Sequence, residues 1–265
     1  MTFSLGPALL FCPADRPERY AKAADRADAV ILDLEDAVGP HEKVAAREAL
    51  VAHPLDPART IVRVNAAGTD DFALDLEAIE ETGYRTIMLA KATDASELES
   101  YDVIALCETA AGVLAAPSLA ASPNVVALMW GAEDLVASLG GSASRFRDGH
   151  YRAVALHARS AVLIAAGAYG NAAIDAVHID IADTAGLTAQ ARDAVASGFT
   201  ATACIHPSQV ATIREAYAST DDELEYALAV LAAAEGERGV FAFRGGMVDE
   251  PVLAHARRVV TRSAG

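Results

Sequence analysis

Short apolar runs recur along this chain at intervals of roughly 20–35 residues, at 8–12, 29–33, 60–64, 86–90, 103–107, 125–130, 176–181 and 202–205. They are apolar at consecutive positions rather than alternate ones, which is the pattern of strands covered on both faces, as in parallel sheets. Stretches of helical period lie between them. Thr69-Asp70-Asp71 opens one in which Phe72, Leu76 and Ile79 share a face, with Gly83 ending it. Thr184 opens another, running through Leu187, Ala191 and Val195 to Gly198. Pro17, Pro207 and Pro251 each suit a first helical turn. About eight such βα units over residues 8–217 predict an α/β fold, a closed (β/α)8 TIM barrel. An open doubly wound sheet is the other arrangement for this rhythm, but no GxGxxG follows the first run, so a dinucleotide-binding version has little support.

The rhythm changes after Tyr217. STDDELEYALAVLAAAEGERG (219–239) reads as one long helix, capped by Ser219 or Thr220 with acids in its first turn. The next stretch, 239–260, reads as a short extended piece, a Gly245-Gly246 turn and a final helix. Residues 1–217 are therefore expected to form the catalytic barrel. Residues 218–265 form a helical extension that carries GGMVDEP and packs on the barrel or reaches a neighbouring subunit.

The net charge of −16 excludes nucleic acid as a main partner, because phosphate binding needs a basic surface. Cys12, Cys107 and Cys204 are odd in number, show no metal-ligand spacing and lie in apolar runs, so they read as buried thiols in a reducing compartment. No basic start precedes the first apolar run, which breaks at Pro13, and no segment offers about 18 uninterrupted apolar residues. A cytoplasmic protein with no membrane partner is expected.

In barrels of this kind the chemistry gathers at the C-terminal ends of the strands. Polar residues are concentrated there: Asp15-Arg16 after the first run, Asp33, Glu35 and Asp36 after the second, and Arg63 and Asn65 in and after the third. Lys91, Glu108-Thr109 and Gly131-Ala132-Glu133-Asp134 follow the next three, then Asp180 and Asp183, then His206. Glu108 and Asp134 follow adjacent strands, and two carboxylates with room for waters and substrate oxygens are a usual way to hold Mg²⁺. Zinc is disfavoured, since no His or Cys joins them. The competing reading of Glu133 and Asp134 is as first-turn acids of a helix. Arg63, inside an apolar strand, needs an anionic partner, either a carboxylate of strand two or a ligand. Asp33 and Glu35 lie two apart and so share a face. Lys91 is either a charge that pairs with these carboxylates or a Schiff-base nucleophile. Asp249 reads most simply as the N-cap of the helix containing Pro251, but it also sits where a Gly-Gly turn could deliver an acid/base group.

Taken together, LLFCPADRPER (9–19), AVILDLEDAV (29–38), IVRVNAAG (61–68), IALCETAAGV (104–113), WGAEDL (130–135), CIHPSQV (204–210) and GGMVDEPVL (245–253) resemble the citrate lyase β-subunit-like proteins, which include malyl-CoA and citramalyl-CoA lyases. The resemblance implies a Mg²⁺-dependent enzyme that cleaves or forms a C–C bond in a 3-hydroxyacyl-CoA thioester, with acyl-CoA and a small keto acid as partners. It implies that Glu108 and Asp134 hold the metal and that Arg63 contacts the keto-acid carboxylate and the reacting oxygen. Asp249 would be the acid/base, supplied within a trimer or a dimer of trimers. Arg16 and Lys22 would meet coenzyme A phosphates, with Gly131 and Ala132 against the substrate. On the reading of the residues themselves, Asp33 and Glu35 would neutralise and orient Arg63 and Lys91, while Asp36 either touches the metal's waters or caps the loop towards Gly39-Pro40. The chain departs from the common pattern at Ala14-Asp15, at Ala90 before Lys91, and at Ala111. Three other readings remain: a citryl-acyl-carrier lyase subunit of a citrate lyase complex, a Schiff-base aldolase using Lys91, and a barrel without catalysis.

Overall fold

Eight parallel strands close in chain order into a barrel: β1 Ala8–Pro13, β2 Ala29–Asp33, β3 Thr60–Val64, β4 Thr86–Leu89, β5 Asp102–Cys107, β6 Val125–Trp130, β7 Ala172–Asp175 and β8 Ala201–Cys204. This is a computed structural model, and it describes residues 3, 5–237 and 239–263. The chain divides into two compact units, Met1–Ala216 and Tyr217–Gly265. No helix among the described residues is long and apolar enough to cross a membrane.

Consecutive apolar residues put one set of side chains inside the barrel and the other beneath the helices. Leu9, Ile31, Ile61, Met88, Ile104, Ala127, Ile174 and Ala203 form the buried interior cluster. The alternate residues Leu10, Leu32 and Val62 are buried as well. The helices are α1 Tyr20–Arg26, α2 Lys43–Ala52, α3 Asp70–Glu80, α4 Ala110–Ala121, α5 Ala132–Ser138, α6 Ala153–Tyr169, α7 Thr184–Ser197 and α8 Gln209–Tyr217. Between β4 and β5 the connection holds a single 3-10 turn, Ser96–Leu98.

Local chemistry sets the helix ends. The side chains of Thr69, Thr109 and Asp183 accept from the backbone N–H of Phe72, Gly112 and Gly186 at 3.2, 3.0 and 2.8 Å. Each such cap stabilises its helix by about 1 kcal/mol. Gly170 and Gly198, at φ 74° and 108°, end α6 and α7 in the left-handed conformation that favours glycine.

The expected seventh strand at 176–181 is corrected to Ala172–Asp175. The strand begins directly after the Gly170 cap and finds its partners there, Ala127–Met129 on β6 and Ala201–Thr202 on β8. VHIDI alternates like a strand, but it lies past the barrel rim with no ladder to join. Asp180 and Asp183 are therefore loop and cap residues, and Asp175 is the carboxylate that ends the strand.

In the second unit, α9 Asp221–Ala234 starts with a capping box between Thr220 and Glu223. The strands β9 Phe241–Phe243 and β10 Gly246–Val248 form an antiparallel hairpin, followed by α10 Glu250–Ser263. The turn is Arg244-Gly245 rather than Gly245-Gly246, because Gly246 already pairs with Phe243. Both turn residues have positive φ, 46° and 82°, as a tight two-residue hairpin requires. Ala227, Val230, Val248, Ala256 and Val259 form this unit's core.

Candidate active site

At the C-terminal ends of the strands lies a cavity of about 240 Å³. Asp33, Asp36, Arg63, Glu108, Glu133 and Asp134 form its polar lining, with Phe11, Leu106, Met129, Val177 and Ile205 on its apolar wall. Gly131 and Ala132 also line it.

Arg63 is held from three sides. Asp33, its register partner on β2, accepts from Nε at 2.7 Å and from Nη2 at 2.6 Å. Glu35 Oε2 lies 3.2 Å from Nη1, and the Phe11 ring centroid 4.9 Å from the guanidinium carbon. Burial works against the Arg63 charge. The hydrogen bonds and charge of Asp33, with the charges of Glu35 and Glu108, outweigh it and raise the pKa above the usual arginine value. Breaking so buried a pair by removing one partner typically costs about 3–5 kcal/mol.

Glu35 links the next group. Its Oε1 accepts from Lys91 Nζ, and Asp36 Oδ2 lies 3.3 Å from the same nitrogen. Burial raises the Glu35 pKa against the opposing effects of Arg63 and Lys91. Burial would raise Asp36 too, but Lys91 and Glu35 prevail and lower it. For Lys91, burial would lower the pKa, but the hydrogen bond and charge of Glu35, with Asp36 and Glu108, hold it at about 12. An ammonium held this firmly is a poor Schiff-base nucleophile.

Glu108 is 2% exposed, and its Oε1 accepts from the Lys91 backbone N–H at 3.0 Å. Lys91 has a φ of 53°, left-handed for a residue with a side chain. Burial pushes the Glu108 carboxyl up to about 8, Arg63 opposing and the charges of Asp134 and Glu35 adding to the rise. Two carboxylates facing one cavity, one of them reluctant to ionise alone, form a donor set suited to a hard divalent cation. A Cβ at Gly131 would come within 2.8 Å of Glu108 Cβ and 3.1 Å of Oε2, so glycine leaves the Glu108 carboxylate its room. Among the described residues no three His, Cys, Asp or Glu side chains are grouped to hold a metal.

The sequence profile of the HpcH/HpaI aldolase/citrate lyase family matches residues 8–104 and 95–207, the strands and loops that build this cavity. The chain belongs to that family. Within it, the chain is 58% identical over 261 residues to a citrate lyase subunit beta-like protein of Mycobacterium tuberculosis, covering 97% of this chain and 96% of the relative. It is 30% identical over 291 residues to the mitochondrial citramalyl-CoA lyase of Homo sapiens, covering 96% and 84%. The crystal structure of the protein CitE from Mycobacterium tuberculosis, in complex with magnesium, acetoacetate and coenzyme A, superposes with a TM-score of 0.94 at 57% identity over 99% of both chains.

Of the other expected residues of this HpcH/HpaI-type chain, Arg16, Lys22 and His206 do not line the cavity. Arg16 and Lys22 are exposed, outside the cavity lining, with Arg16 Nε 3.5 Å from Asp15. His206 is exposed and bonds Ser208 Oγ at 2.7 Å across the start of α8. Asp249 belongs to the second unit, where its Oδ1 accepts from Val252 N at 3.4 Å in the first turn of α10.

Sequence reasoning missed two buried networks beside the cavity. Asp175 accepts from Trp130 Nε1 at 2.6 Å and from Arg159 Nε and Nη2 at 3.0 Å each. AAID ends in a carboxylate as AVILD does, which was the available signal. His178 lies between Gln190 Oε1 at 3.0 Å and Asp183 Oδ2 at 3.2 Å, next to Val177 of the cavity wall. No local pattern announced that one.

Proposed function

We propose that this chain is a Mg²⁺-dependent carbon–carbon lyase or synthase of 3-hydroxyacyl-CoA thioesters, of the malyl-, citramalyl- or 3-hydroxy-3-methylglutaryl-CoA type. In reverse it would join acetyl-CoA to glyoxylate or pyruvate. The observation that carries the reading is the cavity that Glu108, Asp134 and Arg63 line together, with the charge of Asp134 felt at Glu108. The human relative's name, a citramalyl-CoA lyase, and the magnesium, acetoacetate and coenzyme A bound by the mycobacterial CitE support it.

Glu108 and Asp134 would hold the metal, Asp36 standing towards its waters. When bound, Mg²⁺ supplies Lewis-acid polarisation of the substrate oxygens. Arg63, oriented by Asp33 and Glu35, would meet the keto-acid carboxylate and the negative charge developing on the reacting oxygen. In the lytic direction the C2–C3 bond breaks and its electron pair passes to the thioester as an enolate. The 3-hydroxyl oxygen loses its proton and becomes the keto oxygen. A proton returned to C2 completes the acyl-CoA, so the proton count balances. Asp249 is the acid/base proposed for that carbon, acting in its own subunit or a neighbouring one. Arg16 and Lys22 would take coenzyme A phosphates, with Gly131 and Ala132 against the substrate. A cytoplasmic homotrimer or dimer of trimers completes the reading.

The test is turnover of the purified chain on malyl-, citramalyl- and 3-hydroxy-3-methylglutaryl-CoA, and on acetyl-CoA with glyoxylate or pyruvate. Activity lost with EDTA and restored by Mg²⁺ is expected, and no turnover in either direction with Mg²⁺ present removes the reading. The name of the 58% identical relative favours one second reading, a lyase subunit whose thioester is carried on an acyl-carrier protein. That version turns over only when the acylated carrier is supplied.

A further inference from the structure

Lys43, in the first turn of α2, is 8% exposed, and its ammonium donates to three neutral oxygens. Nζ donates to Leu34 O at 2.6 Å, to Glu35 O at 2.8 Å and to Asn65 Oδ1 at 2.8 Å. Three ammonium protons thus meet three acceptors. The orientation of the Asn65 amide is set independently. Its Nδ2 donates to Leu34 O at 3.0 Å and to Asp75 Oδ2 at 2.6 Å, which leaves Oδ1 for Lys43. Asp75 is in turn held by Arg47 Nε at 2.7 Å.

These contacts bracket the ion pairs of the cavity from behind. Leu34 and Glu35 are the first two residues beyond β2, and Asn65 the first beyond β3, two past Arg63. A buried charge with only neutral partners is a costly way to add stability. What the ammonium achieves, and an apolar side chain of similar length cannot, is to tie these two strand ends at one point. We infer that Lys43 is a positioning residue of the active site: by fixing the Leu34 and Glu35 carbonyls to Asn65, it sets where the Glu35 carboxylate meets Arg63 and Lys91, and so how Arg63 meets a substrate carboxylate. The ligand part of this inference rests on the function proposed above.

Lys43→Met keeps the length of the side chain and removes the donors. Two measurements on the full chain test the inference: hydrogen exchange of the segment 33–38, and calorimetric binding of Mg²⁺ and then pyruvate. In the variant, exchange rises in 33–38 while strands β5 to β8 keep their protection. Pyruvate affinity in Mg²⁺ falls about 10- to 100-fold, the range usual for loss of an outer partner, and Mg²⁺ affinity changes less than about twofold. A purely structural lysine would raise exchange throughout the barrel, or leave 33–38 and pyruvate affinity as they were, and either result overturns the inference. If the wild-type chain binds neither pyruvate nor glyoxylate in Mg²⁺, the keto-acid part of the proposed function fails and the exchange of 33–38 alone decides the role of Lys43. If Lys43→Met does not fold, the same measurements on Lys43→Gln, which retains an amide donor group, decide it.

Discussion

Arg63 and Asp33 are register partners on β3 and β2, and their side chains repeat that pairing with hydrogen bonds of 2.7 and 2.6 Å. Two parallel bonds fix the guanidinium plane as well as its place, which a lysine cannot do. Arg63→Lys should therefore fold yet lower kcat by about 10²- to 10³-fold, the scale of losing an oriented oxyanion donor. Steady-state kinetics beside a thermal melt check this. A variant within about threefold of wild type would show that orientation of the guanidinium is unimportant.

Glu35 touches both cations and does not line the cavity. Glu35→Gln should lower turnover through Arg63 and Lys91 while Mg²⁺ affinity stays nearly unchanged, measured by calorimetry and kinetics on the same protein. A large loss of metal affinity would move Glu35 into direct contact with the cation.

Gly131→Ala tests the room around Glu108. The added Cβ would sit 2.8 Å from Glu108 Cβ, a backbone-anchored atom that cannot swing away. The expected outcome is Mg²⁺ binding weaker by roughly tenfold, since metal sites tolerate little displacement of their ligands. Titration of activity and of heat against Mg²⁺ measures it, and unchanged binding would place the metal away from Glu108.

The three thiols provide a test of the core by pH. Burial pushes Cys12 up to about 11, and Cys107 and Cys204 to about 12, because it disfavours the thiolate. A thiol reagent at pH 8 should find none of them in the native protein and all three after denaturation. The sign for stability follows: thiols ionise in the unfolded chain from about pH 8.5 and in the folded one only higher. Stability should therefore fall as pH rises through that interval, as denaturant melts at pH 8 and 10 would show. Rapid labelling of a native thiol would contradict the burial.

Much of the fold was legible because it is written locally. Runs apolar at consecutive positions specify doubly covered strands, and Thr69, Thr220 and Gly198 mark helix ends through their own hydrogen bonds and φ. The meeting of Asp33 with Arg63 was legible for a related reason, since strands consecutive in sequence are adjacent in such a barrel. Strand seven was misplaced because AAID and VHIDI both read as strands, and only the ladders of β6 and β8 choose between them.

The sequence by itself determined the alternation of strand and helix, the rim on which charged residues gather, and the family resemblance carried by its motifs. Tertiary structure decided the contacts beyond the Asp33–Arg63 pair and the atoms through which they are made. The Lys91 backbone turns left-handed so that its N–H reaches Glu108 while its ammonium reaches Glu35. Lys43 joins two strand ends from a helix eight or more residues past either carbonyl it holds. Such pairings depend on register and closure, and hydrogen bonds a few ångströms long carry no trace in residue spacing until the chain has closed around them.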